Sequence, residues 1–326
     1  MIEPRLLLLA PSRRTALARA FQDSAIAHGL QLHLAGADSN PHAPALQCLH
    51  STALLPPFPD PQCAQQLVDF CRRENLRHIL PLTNKAVEFL AAQRQNLPQD
   101  ISVPYLPDAR TLTLCHDKLA LAEGLLDTHL AVDNRLPACP TFTRDTLPTP
   151  PSFPLFAKRR RGEGGQDTIL IRDWRDLDHC REKFPDHIYQ PYLPGKEFTI
   201  DWFSDRSGAP HLIVPRLRLD VRGGETWTGK IDMDSALIDT ARKVGLRLGL
   251  RGPCTLQCRE DAHGRLLFTD VNLRFGSGTV HTIAGGGDIP GLIFDDLLGK
   301  TVEFDPARIE NGSIFTRHLD GFLIPE

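Results

Sequence analysis

Two segments, Pro253–Glu260 (PCTLQCRE) and Arg265–Leu273 (RLLFTDVNL), read as strands joined near His263-Gly264. With those two residues as the hairpin loop, Ala262 faces Arg265. Carrying the pairing back along both strands sets Gln257 opposite Asp270. Side chains alternate along a strand, so Asp270, Asn272 and Arg274 share a face with Gln257. Gln257, Asp270 and Asn272 offer hard oxygen donors with one formal charge, a set that suits Mg²⁺ while leaving coordination sites for phosphate oxygens. Arg274 adds a guanidinium that can pair with a transferred phosphoryl group. Gly276-Ser277-Gly278 come after Phe275, where another group can approach the backbone closely.

A second constellation precedes it. Pro154–Lys158 (PLFAK) is a strand ending in lysine, Arg159–Gln166 (RRRGEGGQ) a basic loop, and Thr168–Ile171 another strand. Gly162, Gly164 and Gly165 let the backbone turn its N–H groups toward an anion, and Lys158 supplies a point charge for phosphate. The loop lacks the lysine-serine ending of a P-loop, and a charged, solvated hairpin is the competing reading. In PRLRLDVRGGE, Arg216 and Arg218 share a strand face and could grip an acidic substrate, against the alternative of a charged edge strand. Glu225, Lys230 and His281 are candidate groups on the acceptor side.

The elements that must position these groups follow from apolar spacing. Arg5–Ala10 is a buried strand, Thr15–His28 a helix, Leu30–Ala35 a strand, Gln62–Glu74 a helix, Ile79–Leu82 a strand and Lys85–Gln95 a helix. This alternation predicts a parallel sheet with helices on its faces over about the first 110 residues. The turn after the first strand, Ala10-Pro11-Ser12-Arg13-Arg14, has no glycine, so a pyrophosphate of NAD is not expected there. Prolines cluster from Pro137 to Pro154, marking a hinge. Strands and hairpins then dominate, with helices at Trp174–Phe184 and Ser235–Leu248.

Composition narrows the function classes. Apolar residues make up 41% of the chain and charged residues 24%, which excludes a disordered or coiled-coil chain. The net charge of −3 argues against a polyanion binder, so no nucleic-acid partner is expected. No apolar run spans a bilayer or forms a signal-peptide core, so a cytoplasmic protein without a membrane partner is expected. Eight cysteines stand at irregular spacing without a CxxC pair, and Cys254 with Cys258 makes a poor metal half-site within a strand.

Taken in order, these stations resemble the ATP-grasp superfamily, most nearly its carbamoyl phosphate synthase large-chain and biotin carboxylase branch. Asp117-Lys118 resembles the opening lysine motif, Phe156-Ala157-Lys158 with the loop to Gln166 the lysine strand and glycine-rich flap, and Tyr189–Trp202 (YQPYLPGKEFTIDW) the hinge strand. Gln257 with Asp270-Val271-Asn272-Leu273-Arg274 resembles the metal strand pair, with Asp in place of the commoner Glu and Leu in place of Pro. Ala284-Gly285 and Ile289-Pro290 fit the segment that follows.

The resemblance implies a preATP-grasp α/β domain at 1–110 and an ATP-grasp domain of two α+β lobes at 111–326, with a small lid lobe at about 137–190. It implies that Lys118 and Lys158 bind the α- and β-phosphates. The backbone of Tyr192 and Leu193, with Gln190 nearby, would meet the adenine, and Glu197 the ribose hydroxyls. Gln257, Asp270 and Asn272 would hold two Mg²⁺ ions, with Mn²⁺ admitted as a substitute.

The expected reaction is phosphoryl transfer from ATP to a carboxylate, followed by attack of an amine or similar nucleophile on the acyl phosphate. Lys158, Asn272 and Arg274 would serve the chemistry, and Arg216, Arg218 and Arg274 the substrate. The expected partners are small-molecule carboxylates and amines, with a homodimer left open. Rival readings are a kinase-like relative that stops at the phosphorylated acid, a nucleotide-binding regulatory module without turnover and, more remotely, a dehydrogenase.

Overall fold

The computed structural model describes residues 3–126, 135–162 and 167–324. The chain opens with a four-stranded sheet of β1 (Arg5–Leu9), β2 (His33–Asp38), β3 (Ser51–Leu54) and β4 (His78–Pro81), ordered β3-β2-β1-β4 and parallel throughout. Leu6 to Leu9 form an unbroken apolar run because β1 is central and covered on both faces. Helix α1 (Thr15–Ala27) packs Leu17 and Phe21 on the face of Leu6 and Leu8. Helices α2 (Cys63–Arg73) and α3 (Asn84–Ala92) cover the face of Leu7 and Leu9.

Local departures have local causes. The strand expected at Leu30–Ala35 lies at His33–Asp38, because Gly29 ends α1 in the left-handed region (φ 65°) and Leu30 and Leu32 pack against the core first. The sequence reading passed over β3, which alternates between half-buried and exposed positions and offers little apolar signal. The glycine-free turn after β1 carries Ala10 (φ 56°) and Ser12 (φ 47°) in the left-handed region. Such strain in non-glycine residues persists only where surroundings fix it. Here Ala10 N–H donates to the Ala37 carbonyl at 2.8 Å and Ser12 N–H to the Asp38 carboxylate at 2.9 Å.

After α4 (Ala109–His116) and α5 (Lys118–Leu126) comes a small antiparallel sheet, ordered β6-β5-β7, of β5 (Leu155–Arg159), β6 (Ile169–Ile171) and β7 (His187–Pro191). With α6 (Trp174–Lys183) it encloses a separate core of Leu147, Leu155, Ala157, Leu177 and Tyr189. The largest sheet has six antiparallel strands: β8 (Glu197–Ser204), β9 (Pro210–Arg222), β10 (Glu225–Ile231), β11 (Gly252–Glu260), β12 (Leu266–Asn272) and β13 (Ile314–Thr316). Their order is β12-β11-β8-β9-β10-β13. A parallel-sheet domain followed by an α+β part of two sheets is the architecture the sequence predicts.

One face of the large sheet is apolar. It packs Phe198, Ile200, Trp202, Leu256 and Val271 against α7 (Ser235–Leu248) through Ala241, Val244 and Leu248. The opposite face changes along its length. At one end Phe203, Leu212, Val214 and Ile231 join α1 and, beyond α8 (Thr279–Ala284), α9 (Ile289–Leu297) in the core shared with β1. At the other end the same alternation presents Asp201, Thr199 and Glu197, and the face becomes polar.

Candidate active site

The polar face is a floor of cross-strand rows. Asn272 pairs with Thr255, which pairs with Asp201. One row further, Asp270 pairs with Gln257, Gln257 with Thr199, and Thr199 with Arg216. Directly opposed residues project to the same side. Gln257, Asp270 and Asn272 therefore stand together, as the hairpin reading predicts.

The pairing arises by a different route from the one expected. Asp261 N–H bonds the Arg265 carbonyl at 2.9 Å, so three residues rather than two form the loop, with Gly264 left-handed at φ 77°. The Asp261 carboxylate accepts from His263 N–H at 2.8 Å and Arg265 N–H at 2.9 Å and fixes that turn. A bulge between the Gln257 and Cys258 pairings then absorbs Thr269 and restores the foreseen register. The two departures cancel for a physical reason. Phe268, Asp270 and Asn272 would share a face in a regular strand, yet Phe268 is buried in the apolar core. The extra residue turns Phe268 inward and keeps Asp270 and Asn272 on the polar side.

Lys118 and Lys158 both lie over this floor. Lys118, the first residue of α5, is 4.0 Å from Asp270 and donates to the Gly162 carbonyl at 2.8 Å. Lys158 on β5 donates to the carbonyl of the bulged Thr269 at 3.3 Å. Burial holds the Lys158 pKa below the usual lysine range; Asp270 acts to raise it and Lys118 to lower it. Gly162 sits at φ 138°, a conformation for glycine. Gly164 and Gly165 lie outside the described residues. Asp117, which the sequence reading used only as a marker, accepts Arg160 Nε on both oxygens at 2.9 and 2.8 Å and caps α5 through Leu119 and Ala120 N–H. It ties the root of the glycine-rich loop to the helix that carries Lys118.

Along β7 and the link to β8, Gln190 is buried and donates to Thr141 at 2.8 Å. Tyr192 N–H donates to the Pro154 carbonyl at 3.1 Å. Leu193 is buried, and the Tyr192 ring is exposed. Glu197 pairs with Arg218 and lies 3.7 Å from Arg259.

The arginines separate. Arg218 is held by Glu197 and by the Gly224 carbonyl at 2.8 Å. Arg216, on an interior strand rather than an edge, is fully buried and paired with Asp201 at 2.8 Å. Arg274 donates to the Phe275 carbonyl at 3.0 Å and to Asn272 Oδ1 at 3.1 Å. Glu225 is bound by Arg13 at 3.3 Å and Arg317 at 3.0 Å. Lys230 is exposed on the opposite side of β10 from Ile231, the residue paired with Arg216, so it does not face the floor. His281 is buried beside Arg216.

The N-terminal domain reaches the floor through residues that the sequence reading passed over. Asn84, the first residue of α3, donates to Asn272 Oδ1 at 3.0 Å, and Arg14 donates to the Gly276 carbonyl at 2.9 Å. Both come from the carboxyl ends of parallel strands, where open α/β sheets present ligand-facing loops. A lone Asn at a helix start carries no sequence signal that separates it from a solvated one.

The donor set fits a hard divalent cation. The Asp270 carboxylate and the Gln257 amide oxygen are opposed. Asn272 Oδ1 already accepts from Asn84 and Arg274, so it would join by exchanging one of them. Among the described residues no group of three His, Cys, Asp or Glu gathers. The single charge therefore calls for phosphate oxygens to complete coordination. Cys254 and Cys258 are buried thiols, each pushed up to about 12 by burial, and pack as apolar groups. No helix among the described residues is long and apolar enough to cross a membrane.

Comparison with known proteins places this geometry. Residues 183–316 match the family described as "ATP-grasp in the biosynthetic pathway with Ter operon", and residues 6–104 match "PylC-like, N-terminal domain". No curated protein matches the chain. Among solved structures, the chain is similar to an N5-carboxyaminoimidazole synthetase from Staphylococcus aureus complexed with ADP. The identity is 14% and the TM-score 0.71, over 97% of this chain and 81% of that one. An L-amino acid ligase from Bacillus licheniformis aligns at 20% identity and a TM-score of 0.67, over 90% of this chain and 74% of that one. A pyruvate carboxylase from Rhizobium etli aligns at 17% identity and a TM-score of 0.71, over 95% of this chain, which spans 30% of the carboxylase. At these identities the likeness is one of fold.

Proposed function

We propose that this chain, whose residues 183–316 match an ATP-grasp family and whose residues 6–104 match a PylC-like N-terminal domain, is an ATP-dependent ligase that activates a carboxylate as an acyl phosphate and joins it to an amine or similar nucleophile, releasing ADP and phosphate. The observation that carries the reading is the opposed pair Gln257 and Asp270, with Lys118 4.0 Å from the carboxylate. The likeness in fold to an L-amino acid ligase supports it, as does a family description that speaks of a biosynthetic pathway.

In this reading the domains divide near residue 110, and residues 137–190 act as a lid. ATP lies between the small and large sheets, its adenine against Gln190, Tyr192 and Leu193 and its ribose against Glu197. Gln257, Asp270 and Asn272 would hold Mg²⁺, two ions in full occupancy and Mn²⁺ as substitute, whose positive charge would offset that of the triphosphate. Lys118 and Lys158 place ammonium groups against phosphate oxygens, and Gly162 turns its backbone N–H toward them. Arg274 pairs with the transferred phosphoryl group and steadies the oxyanion as the nucleophile attacks. Arg216 and Arg218 serve the acidic substrate. Excluding water protects the acyl phosphate from hydrolysis.

The test is an ADP-release screen with Mg²⁺ over pairs of carboxylates and amines. ADP formation that requires both partners supports the ligase. ADP formation with the acid alone supports a kinase-like reaction, and ATP binding without ADP from any pair supports a regulatory module.

A further inference from the structure

We propose that the substrate carries an anionic group besides its reacting carboxylate, and that Arg216, with His281 beside it, is the subsite that binds this group. The inference rests on the ligase reading and specifies its substrate class. Arg216 is fully buried, and its Nε donates to Asp201 at 2.8 Å. Asp201 also accepts from Thr279 at 2.7 Å and Thr282 at 2.5 Å, so its oxygens are engaged from several sides. Arg216 Nη1 and Nη2 have no hydrogen-bond partner. A guanidinium that served only as a buried ion pair would gain most by offering two parallel N–H groups to its carboxylate. Here the Nη1–Nη2 edge stays uncommitted, and buried polar groups left unpaired are costly.

His281 is 1% exposed, and neither ring nitrogen has a partner. Burial, followed by the charge of Arg216, pushes its pKa down to about 3, so the ring is neutral and offers one N–H and one acceptor. Glycines flank both groups. A Cβ on Gly278 would come within 2.8 Å of Arg216 Nη1, and one on Gly229 within 2.9 Å of His281 Nδ1. The segment from Gly276 to Gly278, two of whose three residues are glycine, covers the Arg216 atoms, so binding of an anion there would require this segment to lift.

The position suits a substrate. Arg216 belongs to the row of Asp270, Gln257 and Thr199, three strand spacings from Asp270, which is about 14 Å between backbones. The side chains shorten that gap, so a group on Arg216 and a carboxylate near Arg274 can belong to one small molecule. Its second anion could be a carboxylate or a phosphate-like group, which share the guanidinium geometry.

Calorimetric titration of the full chain, loaded with Mg²⁺ and a non-hydrolysable ATP analogue, tests this without turnover. The probes are glutarate, 4-phosphonobutyrate and, as the monoanion, butyrate. Glutarate or 4-phosphonobutyrate should bind about tenfold or more tighter than butyrate, and the better of the two identifies the second group. Gly278→Ala, which crowds Nη1 while keeping the ion pair, should remove that preference. So should the double variant Arg216→Met with Asp201→Asn, which leaves no buried charge alone. Equal binding of all three probes, binding of none, or a preference that survives both variants would overturn the subsite. A dianion preference lost in both variants, with no ADP from any acid and amine pair, upholds the subsite and removes the ligase reading. ADP formation from simple monoacids at wild-type rates in the double variant does the reverse.

Discussion

Asp270 is the only formal negative charge among the three oxygen donors of the floor, and it lies 4.0 Å from Lys118. Replacement by Asn keeps the shape and removes the charge that a cation and the transition state would share. Asp270→Asn should lower the rate of ADP formation about 100-fold or more, while affinity for an ATP analogue, measured by calorimetry, falls less. Lys158 makes the opposite trade. Burial lowers its pKa, so the fold favours the neutral amine and pays for the ammonium at every pH below the lowered value. That cost is relieved as pH rises from the lowered value toward 10.5, the ordinary value. A triphosphate alongside favours the ammonium, so binding should take up a proton in that window and weaken as pH rises through it. Lys158→Met should accordingly raise the melting temperature while weakening ATP-analogue binding about tenfold or more. A variant that is both less stable and equally able to bind would contradict this account.

The β11–β12 hairpin shows what a sequence can and cannot convey about an element. The partnership of Gln257 and Asp270 was legible because both strands have strong apolar content and a Gly-containing turn between them. The loop length and the bulge were not, since an added loop residue and an added strand residue compensate and leave the same pairing. Phe268 held the clue, being apolar on the parity of Asp270 and Asn272. Burial of Arg216 was equally illegible: its place on an interior strand, above Asp201 and beneath Gly278, depends on contacts distant in sequence. The bulge also makes a prediction. Deleting Thr269 leaves Cys258 opposite Phe268 and Gln257 opposite Asp270, so the faces are kept. It removes the carbonyl that Lys158 donates to. The deletion should therefore fold, with a circular dichroism spectrum like the parent's, and should bind an ATP analogue about tenfold more weakly. Loss of folding would show that the bulge holds the strand pair together rather than aiming it.

The molecule as a whole is joined by its cores rather than by its linkers. Phe21 of α1 lies edge-on to Phe275 at 5.9 Å and to Phe294 of α9 at 6.0 Å, so one cluster runs from the parallel sheet into the large antiparallel sheet. Asn84 and Arg14 extend this junction toward the floor, where the N-terminal domain touches Asn272 and the Gly276 carbonyl. The small sheet differs: its core is a cluster of its own, apart from the one that contains Phe21. In the proposed reading this lobe opens and closes over a nucleotide, which draws on low-stability structure, whereas the other two sheets should open as one unit. In hydrogen exchange, amides of β5 and β7 should exchange before those of β1 and β8, and an ATP analogue should slow the first pair most. Phe21→Ala, at a cost of about 3–5 kcal/mol, should speed exchange in β1 and β8 together and leave β5 and β7 near their original rates. Acceleration in β1 alone would mean that the two larger sheets merely touch, and the floor would then owe its geometry to the antiparallel strands without help from the domain that precedes them.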